Sequence, residues 1–133
     1  MTSYKSAESR FHHMGIPTTQ VMPGERYSAA FKMYTSDSPG QFRIQFHRFE
    51  EDSPLHPIIQ KLPHVAFQVD NLLTAIANKK ILLGPYEPIA GYKVAIIDDA
   101  GVPVELIQTD LTAEALWRKS SSQEDLDTSG LSI

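Results

Sequence analysis

The chain has 133 residues, 41% of them hydrophobic, a formal net charge of -4 and no cysteine. That length fits one domain with a sizeable core, the acidic balance without a basic block argues against a nucleic-acid surface, and the absence of thiols excludes disulfides and thiolate metal sites. Met1 to Arg10 is polar and reads as a flexible N-terminus rather than a signal peptide, and no stretch approaches a membrane span, so a soluble cytoplasmic protein with neither nucleic-acid nor membrane partners is expected.

Phe11 to Thr19 reads as a strand, closed by the turn-rich Met22-Pro23-Gly24-Glu25. Ser28 to Tyr34 alternates as a second strand, Ser36 to Gly40 forms a turn, and Gln41 to Phe49 alternates strictly. Glu50 to Pro54 breaks the pattern, and Leu55 to Lys61 reads as a helical or irregular connector. A new unit begins at Leu62: a strand from His64 to Val69, a short helix through Ala77 capped by Asp70 or Asn71, and extended chain at Ile81 to Leu83 before Gly84-Pro85. Gly91 to Ile97 and Val102 to Gln108 then pair around Asp98-Asp99-Ala100-Gly101. Beyond them a short helix is expected over 111–119, periodic from Thr112 to Lys119 with Leu116 and Trp117 as its apolar side, and a disordered tail over 120–133.

The two units echo one another. His13 opens His13-Met14-Gly15-Ile16-Pro17, and His64 opens His64-Val65-Ala66-Phe67-Gln68. Later in each unit comes a strand with a polar residue among apolar ones: Arg43-Ile44-Gln45-Phe46-His47 and Pro103-Val104-Glu105-Leu106-Ile107. The offset between the units grows along the chain, as loss of a short helix from the first would produce. Gln20 to Arg26, where that helix would stand, lacks helical periodicity.

Strand alternation decides which of these residues can meet. One face of each strand is apolar: His12, Met14 and Ile16 in the first, Phe42, Ile44 and Phe46, then Val65, Phe67 and Val69, then Val104 and Leu106. The opposite face carries His13, Gln45, His47, His64, Gln68 and Glu105. If the two units curl together, His13, Gln45, His64 and Glu105 face one cavity, and two imidazoles with a carboxylate can hold a divalent metal. Arg43, Lys32 and Tyr34 fall on the same predicted face and suggest an anionic or oxygen-rich ligand. Gln68 and Tyr92 are candidate pocket lining, while His12 and His56 read as structural.

His13-Met14-Gly15-Ile16, Leu62-Pro63-His64-Val65-Ala66-Phe67-Gln68-Val69-Asp70 and Pro103-Val104-Glu105-Leu106-Ile107 resemble the vicinal oxygen chelate superfamily, which includes glyoxalase I, methylmalonyl-CoA epimerase, extradiol dioxygenases and bleomycin-binding proteins. The resemblance runs from about Phe11 to Gln108. It implies an α+β fold of two βαβββ modules, about 11–50 and 62–109 within a domain over 11–110, forming a cupped mixed sheet, with the helix of the first module reduced or missing. It also implies a divalent ion (Zn, Ni, Mn, Co or Fe) on His13, His64, Glu105 and Gln45, with His47 as an alternative to Gln45, and a homodimer. Glu105 or His47 would then be the base, and Arg43, Tyr34, Gln68 and Tyr92 the substrate contacts. The expected activity is that of a glyoxalase-like isomerase or lyase acting on a small oxygenated metabolite through a stabilised enolate or oxyanion. Two other readings stay open: an Fe(II)-dependent ring-cleaving dioxygenase, and a non-catalytic small-molecule (drug) binding protein of the same fold.

Overall fold

Residues 9–111 are described by the computed structural model, so Leu111 is the last of them and the expected C-terminal helix and tail otherwise lie outside the described residues, as does most of the polar N-terminus. The elements run β1 (Arg10–Pro17), β2 (Arg26–Ser28), β3 (Met33–Asp37), β4 (Ile44–Phe49), α1 (Pro57–Lys61), β5 (His64–Gln68), α2 (Leu72–Ile76), β6 (Lys80–Ile89), β7 (Tyr92–Asp99) and β8 (Val102–Thr109). All the strands join one 8-stranded sheet in the order β2-β3-β4-β1-β5-β8-β7-β6.

That order is the sequence echo in space. Each half is a meander whose last strand returns parallel to its first: β4 beside β1, and β8 beside β5. The halves meet where β1 and β5 run antiparallel. The second module has its helix. Asn71 caps α2 by accepting from the Thr74 amide, and Leu72 and Ile76 seal the outer face over Ala95, Ile97 and Leu106. Between β1 and β2 of the first module there is only irregular chain. Its outer face therefore keeps Ile16, Ile44 and Phe46 half-buried, and Phe42 stays 67% exposed.

α1 replaces part of what the missing helix would supply, from the other side. His56 caps it through its Nδ1, which accepts from the Ile58 amide. Ile59 and Leu55 then pack on Met33 and Ile96, which lie on the inner face of the curled sheet. Burying each such side chain is worth ~1.5–3 kcal/mol, so this wedge closes one end of the cup.

Three boundaries depart from expectation. The single strand over 28–34 is two, β2 and β3, because the chain turns at 29–32 with Lys32 in the left-handed region (φ 52). β3 then runs on to Asp37, inside the expected turn. β6 continues through Gly84-Pro85 instead of stopping there. Proline lacks the amide a central strand needs, but β6 is an edge strand and its pairing with β7 shifts register repeatedly.

Candidate metal centre

The interior of the cup is the polar face. His13, Gln45, His47, His64, Gln68 and Glu105 are buried, while the apolar residues between them are in part only half-buried. Pairing register explains how they converge. On β1 and β5, Ala66 lies opposite His13 and Gly15 opposite His64, so each imidazole stands over a residue too small to obstruct it. Gly15 also pairs with Gln45 on β4, and Ala66 with Glu105 on β8. Gln45 is thus the internal counterpart of Glu105, each lying beside the residue two places beyond its module's histidine.

The rings of His13 and His64 meet edge to face with centroids 5.5 Å apart. Glu105 Oε1 lies 3.1 Å from His64 Nε2 and 3.5 Å from His13 Nε2. These three residues offer one ligand atom each within 4.8 Å of one another. Burial dominates their protonation. It holds the Glu105 carboxyl well above the usual carboxylate range, and it lowers His64 to about 4. His13 lies well below its ordinary value, through burial first and then the neighbouring His12, His64, His47 and Arg43. The short contacts therefore join neutral groups, and neutral imidazoles are the form that binds a metal.

The outer partners orient this set. Gln45 Nε2 donates to Asp37 Oδ1 at 3.1 Å, and both terminal guanidinium nitrogens of Arg26 reach the same carboxylate at 3.2 Å. The amide nitrogen is held there, which turns Oε1 the other way. In the second module the position equivalent to Asp37 is Ile96, whose apolar side chain helps keep Glu105 out of water. His12 does not share the outer face with Met14 and Ile16 as alternation predicts. A bulge between Phe11 and His13 makes it the extra residue of β1, and its Nδ1 lies 2.6 Å from His13 Nδ1. If His12 accepts that proton, His13 Nε2 presents its lone pair.

His47 stacks on His64 with centroids 5.3 Å apart, and its Nδ1 is 3.1 Å from Thr35 Oγ1. Burial, then His64 and Arg26, keep its imidazole neutral. Its counterpart by register in the second module is Ile107, so His47 has no mirror. Tyr92 is buried on the inner face, its phenol pushed up by burial, by Glu105 and by Tyr86. Gln68, also inward, donates to the carbonyls of Thr109 and Leu111 and ties the chain beyond β8 to β5.

Arg43 and Tyr34 are engaged by other partners. Arg43 donates to the backbone carbonyls of His12 and Phe11, bracing the bulge. Tyr34 points to the outer face under the Arg48 guanidinium, 4.0 Å from its ring, and Lys32 pairs with Asp52 at 2.6 Å. Sequence reasoning missed Asp37, Arg26 and Tyr86. The first was absorbed into an expected turn, and Tyr86 follows Gly84-Pro85, which reads as a break. No local signal marked Arg26.

The donor set fits a divalent cation. Gln45 Oε1, His47 Nε2, His64 Nε2 and both oxygens of Glu105 are fully buried without a hydrogen-bond partner among the described residues. Leaving a buried polar atom unsatisfied costs ~1–3 kcal/mol, yet these atoms are all of ligand type and belong to residues on the inner face beside Gly15 and Ala66. A bound ion would satisfy several at once.

No protein-family model matches the chain, and no curated protein matches it. Solved structures do. A hypothetical protein from Bacillus halodurans C-125 aligns with TM-score 0.59 at 17% identity, covering 78% of this chain and 96% of that one. Methylmalonyl-CoA epimerase from Mycobacterium tuberculosis aligns with TM-score 0.52 at 15% identity, covering 80% of this chain and 91% of its own. Likeness at such identities speaks to architecture, and with the paired modules and the curled mixed sheet it establishes that the chain adopts the vicinal oxygen chelate fold.

Proposed function

We propose that the protein is a metal-dependent isomerase or lyase of the glyoxalase type, acting on a small oxygenated metabolite. The observation that carries the reading is the cluster of buried ligand-type atoms around His64 and Glu105 without hydrogen-bond partners among the described residues. The structural likeness to an epimerase supports it at the level of fold. His13, His64 and Glu105 would hold the ion, with Gln45 as fourth ligand because it mirrors Glu105. Such an ion supplies positive charge that stabilises an enolate or other oxyanion as a proton leaves carbon. His47 would take that proton, a role supported by Thr35 beside one nitrogen, the absence of a hydrogen-bond partner at the other among the described residues, and a neutral imidazole. Returning the proton to the neighbouring carbon completes an isomerisation. The open edges β2 and β6 give a physical motive for the proposed homodimer, and the cysteine-free composition suits the proposed cytoplasmic setting.

Protein stripped with chelator and reloaded should take up about one equivalent of Zn, Mn, Ni, Co or Fe and melt at a higher temperature. Absence of both uptake and stabilisation overturns the reading. Two histidines and one carboxylate are also the facial triad of non-haem iron oxygenases. Iron-dependent oxygen consumption with a catechol would favour ring cleavage over isomerisation.

A further inference from the structure

We propose that the strap formed by residues 109–111 is the gate of the centre, and that the side-chain amide of Gln68 latches it shut. The gate serves the site read above as a metal centre, but it follows from burial and packing and can be tested without an ion. His13, Gln45 and Glu105 are 0% exposed, and His47 and His64 only 1% and 2%. An ion or a substrate therefore reaches them only after part of the lining moves.

Two elements close the inner face next to Glu105. Ile96, its cross-strand partner, carries the α1 wedge, where the buried Leu55 and Ile59 pack on Met33 as well. Ile107, the next inward residue of β8, belongs to the cluster with Ala66, Tyr92 and Val94 on which Leu111 packs. Ala66 lies opposite His13 on β1 and beside Glu105 on β8. Leu111 thus rests on the cluster that borders two of the three candidate ligands.

The two closures differ in what holds them. The wedge is a capped helix with two apolar side chains in a buried core. The strap has one apolar anchor, the half-buried Leu111, beside the exposed Asp110. Gln68 ties it to β5: its Nε2 donates to the carbonyls of Thr109 at 3.0 Å and Leu111 at 2.7 Å. The Leu111 amide turns back to Thr109 Oγ1 at 3.4 Å, within the strap itself. Segments with few buried apolar contacts open first, so the strap yields before the wedge. Gln68 is buried on the same face as His64 and Ala66, and removing its amide frees the strap without altering a candidate ligand.

Diethylpyrocarbonate acylates neutral imidazoles, so its reaction with the stripped full chain reports access to His13, His47 and His64, read residue by residue by mass spectrometry. The half-buried His56, which caps α1, is the internal reference. In wild type the three should react more slowly than His56. Gln68→Ala and Leu111→Ala should each speed them about tenfold or more, with His56 unchanged. Ile59→Ala is the control, because it removes more buried apolar surface than either: labelling through global unfolding, or past the wedge, would be fastest in that variant. Strap variants that label at the wild-type rate, fastest labelling in Ile59→Ala, or a wild-type centre as reactive as His56 overturns the gate. Reloaded with Co(II), the strap variants should release the metal to excess EDTA about tenfold faster at unchanged equilibrium affinity, and release at the wild-type rate also overturns it. If the strap variants label faster yet neither they nor wild type takes up metal, the metal-dependent reading falls and the gate stands.

Discussion

Gly15→Ala tests the centre without touching a candidate ligand. A Cβ at this position would lie 2.1 Å from His64 Cε1, 2.6 Å from His64 Nδ1 and 2.7 Å from His47 Nε2. All are well inside van der Waals contact, and His64 is packed against His13, His47 and Glu105, so the ring cannot retreat cheaply. Overpacking of this kind costs ~1–3 kcal/mol, or a fall in melting temperature of roughly 4 °C per kcal/mol for a domain of this size. Displacement of His64 then weakens metal binding, and a loss of about 100-fold removes ~2.7 kcal/mol of metal-induced stabilisation at a fixed ion concentration. Thermal melts of wild type and variant, stripped and reloaded, separate the two effects: the stripped variant melts lower, and the upward shift on reloading shrinks. A variant that melts and reloads like wild type would refute the convergence of His64 and His47 over Gly15, and the proposed centre with it.

Lowering pH should destabilise the stripped protein between 6.5 and about 4, because His64 titrates near 6.5 when unfolded and near 4 when folded. The unfolded chain binds the His64 proton more readily throughout that window, so the stability this residue contributes is fully present above it and falls by about 3 kcal/mol across it, with the lowered His13 and His47 acting in the same direction and the raised Glu105 opposing; denaturant titrations at several pH values, with a shallower but not flat profile in His64→Phe, check this. Glu105→Gln should raise the stability of the stripped protein at neutral pH, since a raised carboxyl loses its contribution as pH rises, and should abolish metal-induced stabilisation in the same melts. Asp37→Leu should weaken metal binding about tenfold by leaving the Gln45 amide without its acceptor, and adding Gln45→Glu, which presents an oxygen in either orientation, should restore it, both read by calorimetric titration. His47→Gln should keep metal affinity within about tenfold yet slow proton exchange at carbon by about 10²–10⁴, measured as deuterium incorporation from solvent.

The fold was legible because the β2-β3-β4-β1 half and the β5-β8-β7-β6 half write the same alternation twice, and because Asp98 to Gly101 forms a turn with Ala100 and Gly101 both at positive φ. The convergence of His13, His64 and Glu105 followed from parity alone, since one register places all three on the same face. Parity failed where the backbone departs from an ideal strand. The bulge at His12 swings a presumed outer residue against His13, and the turn at 29–32 splits one expected strand so that Tyr34 faces outward while Thr35 faces His47. Arg43 shared the predicted face with the centre, but a long side chain goes where unsatisfied carbonyls are, and the bulge exposes those of Phe11 and His12. Asp37 stands only eight residues before Gln45 but was hidden by the turn expected over Ser36 to Gly40, and Tyr86 by the break read at Gly84-Pro85.

The near-symmetry of the modules gives the departures from it their meaning. Duplication alone would place a carboxylate or amide beside each small residue and equal surroundings around both. Instead the first module puts Asp37 against Gln45, and the second puts Ile96 against Glu105. An amide needs a hydrogen-bond acceptor to choose which of its ends faces the ion, whereas a carboxylate has two equivalent oxygens and gains basicity from an apolar neighbour. The same comparison separates His47 from the other four residues. Its mirror is Ile107, so a ligand role would add a donor without a counterpart to a set already balanced by Gln45 and Glu105. A base, by contrast, must stand to one side of the substrate, because a proton leaves one face of a carbon. The His47 imidazole, pinned by Thr35 and stacked on His64, would meet that requirement, and the contrast between His47→Gln and Glu105→Gln in metal affinity is where the argument can be broken.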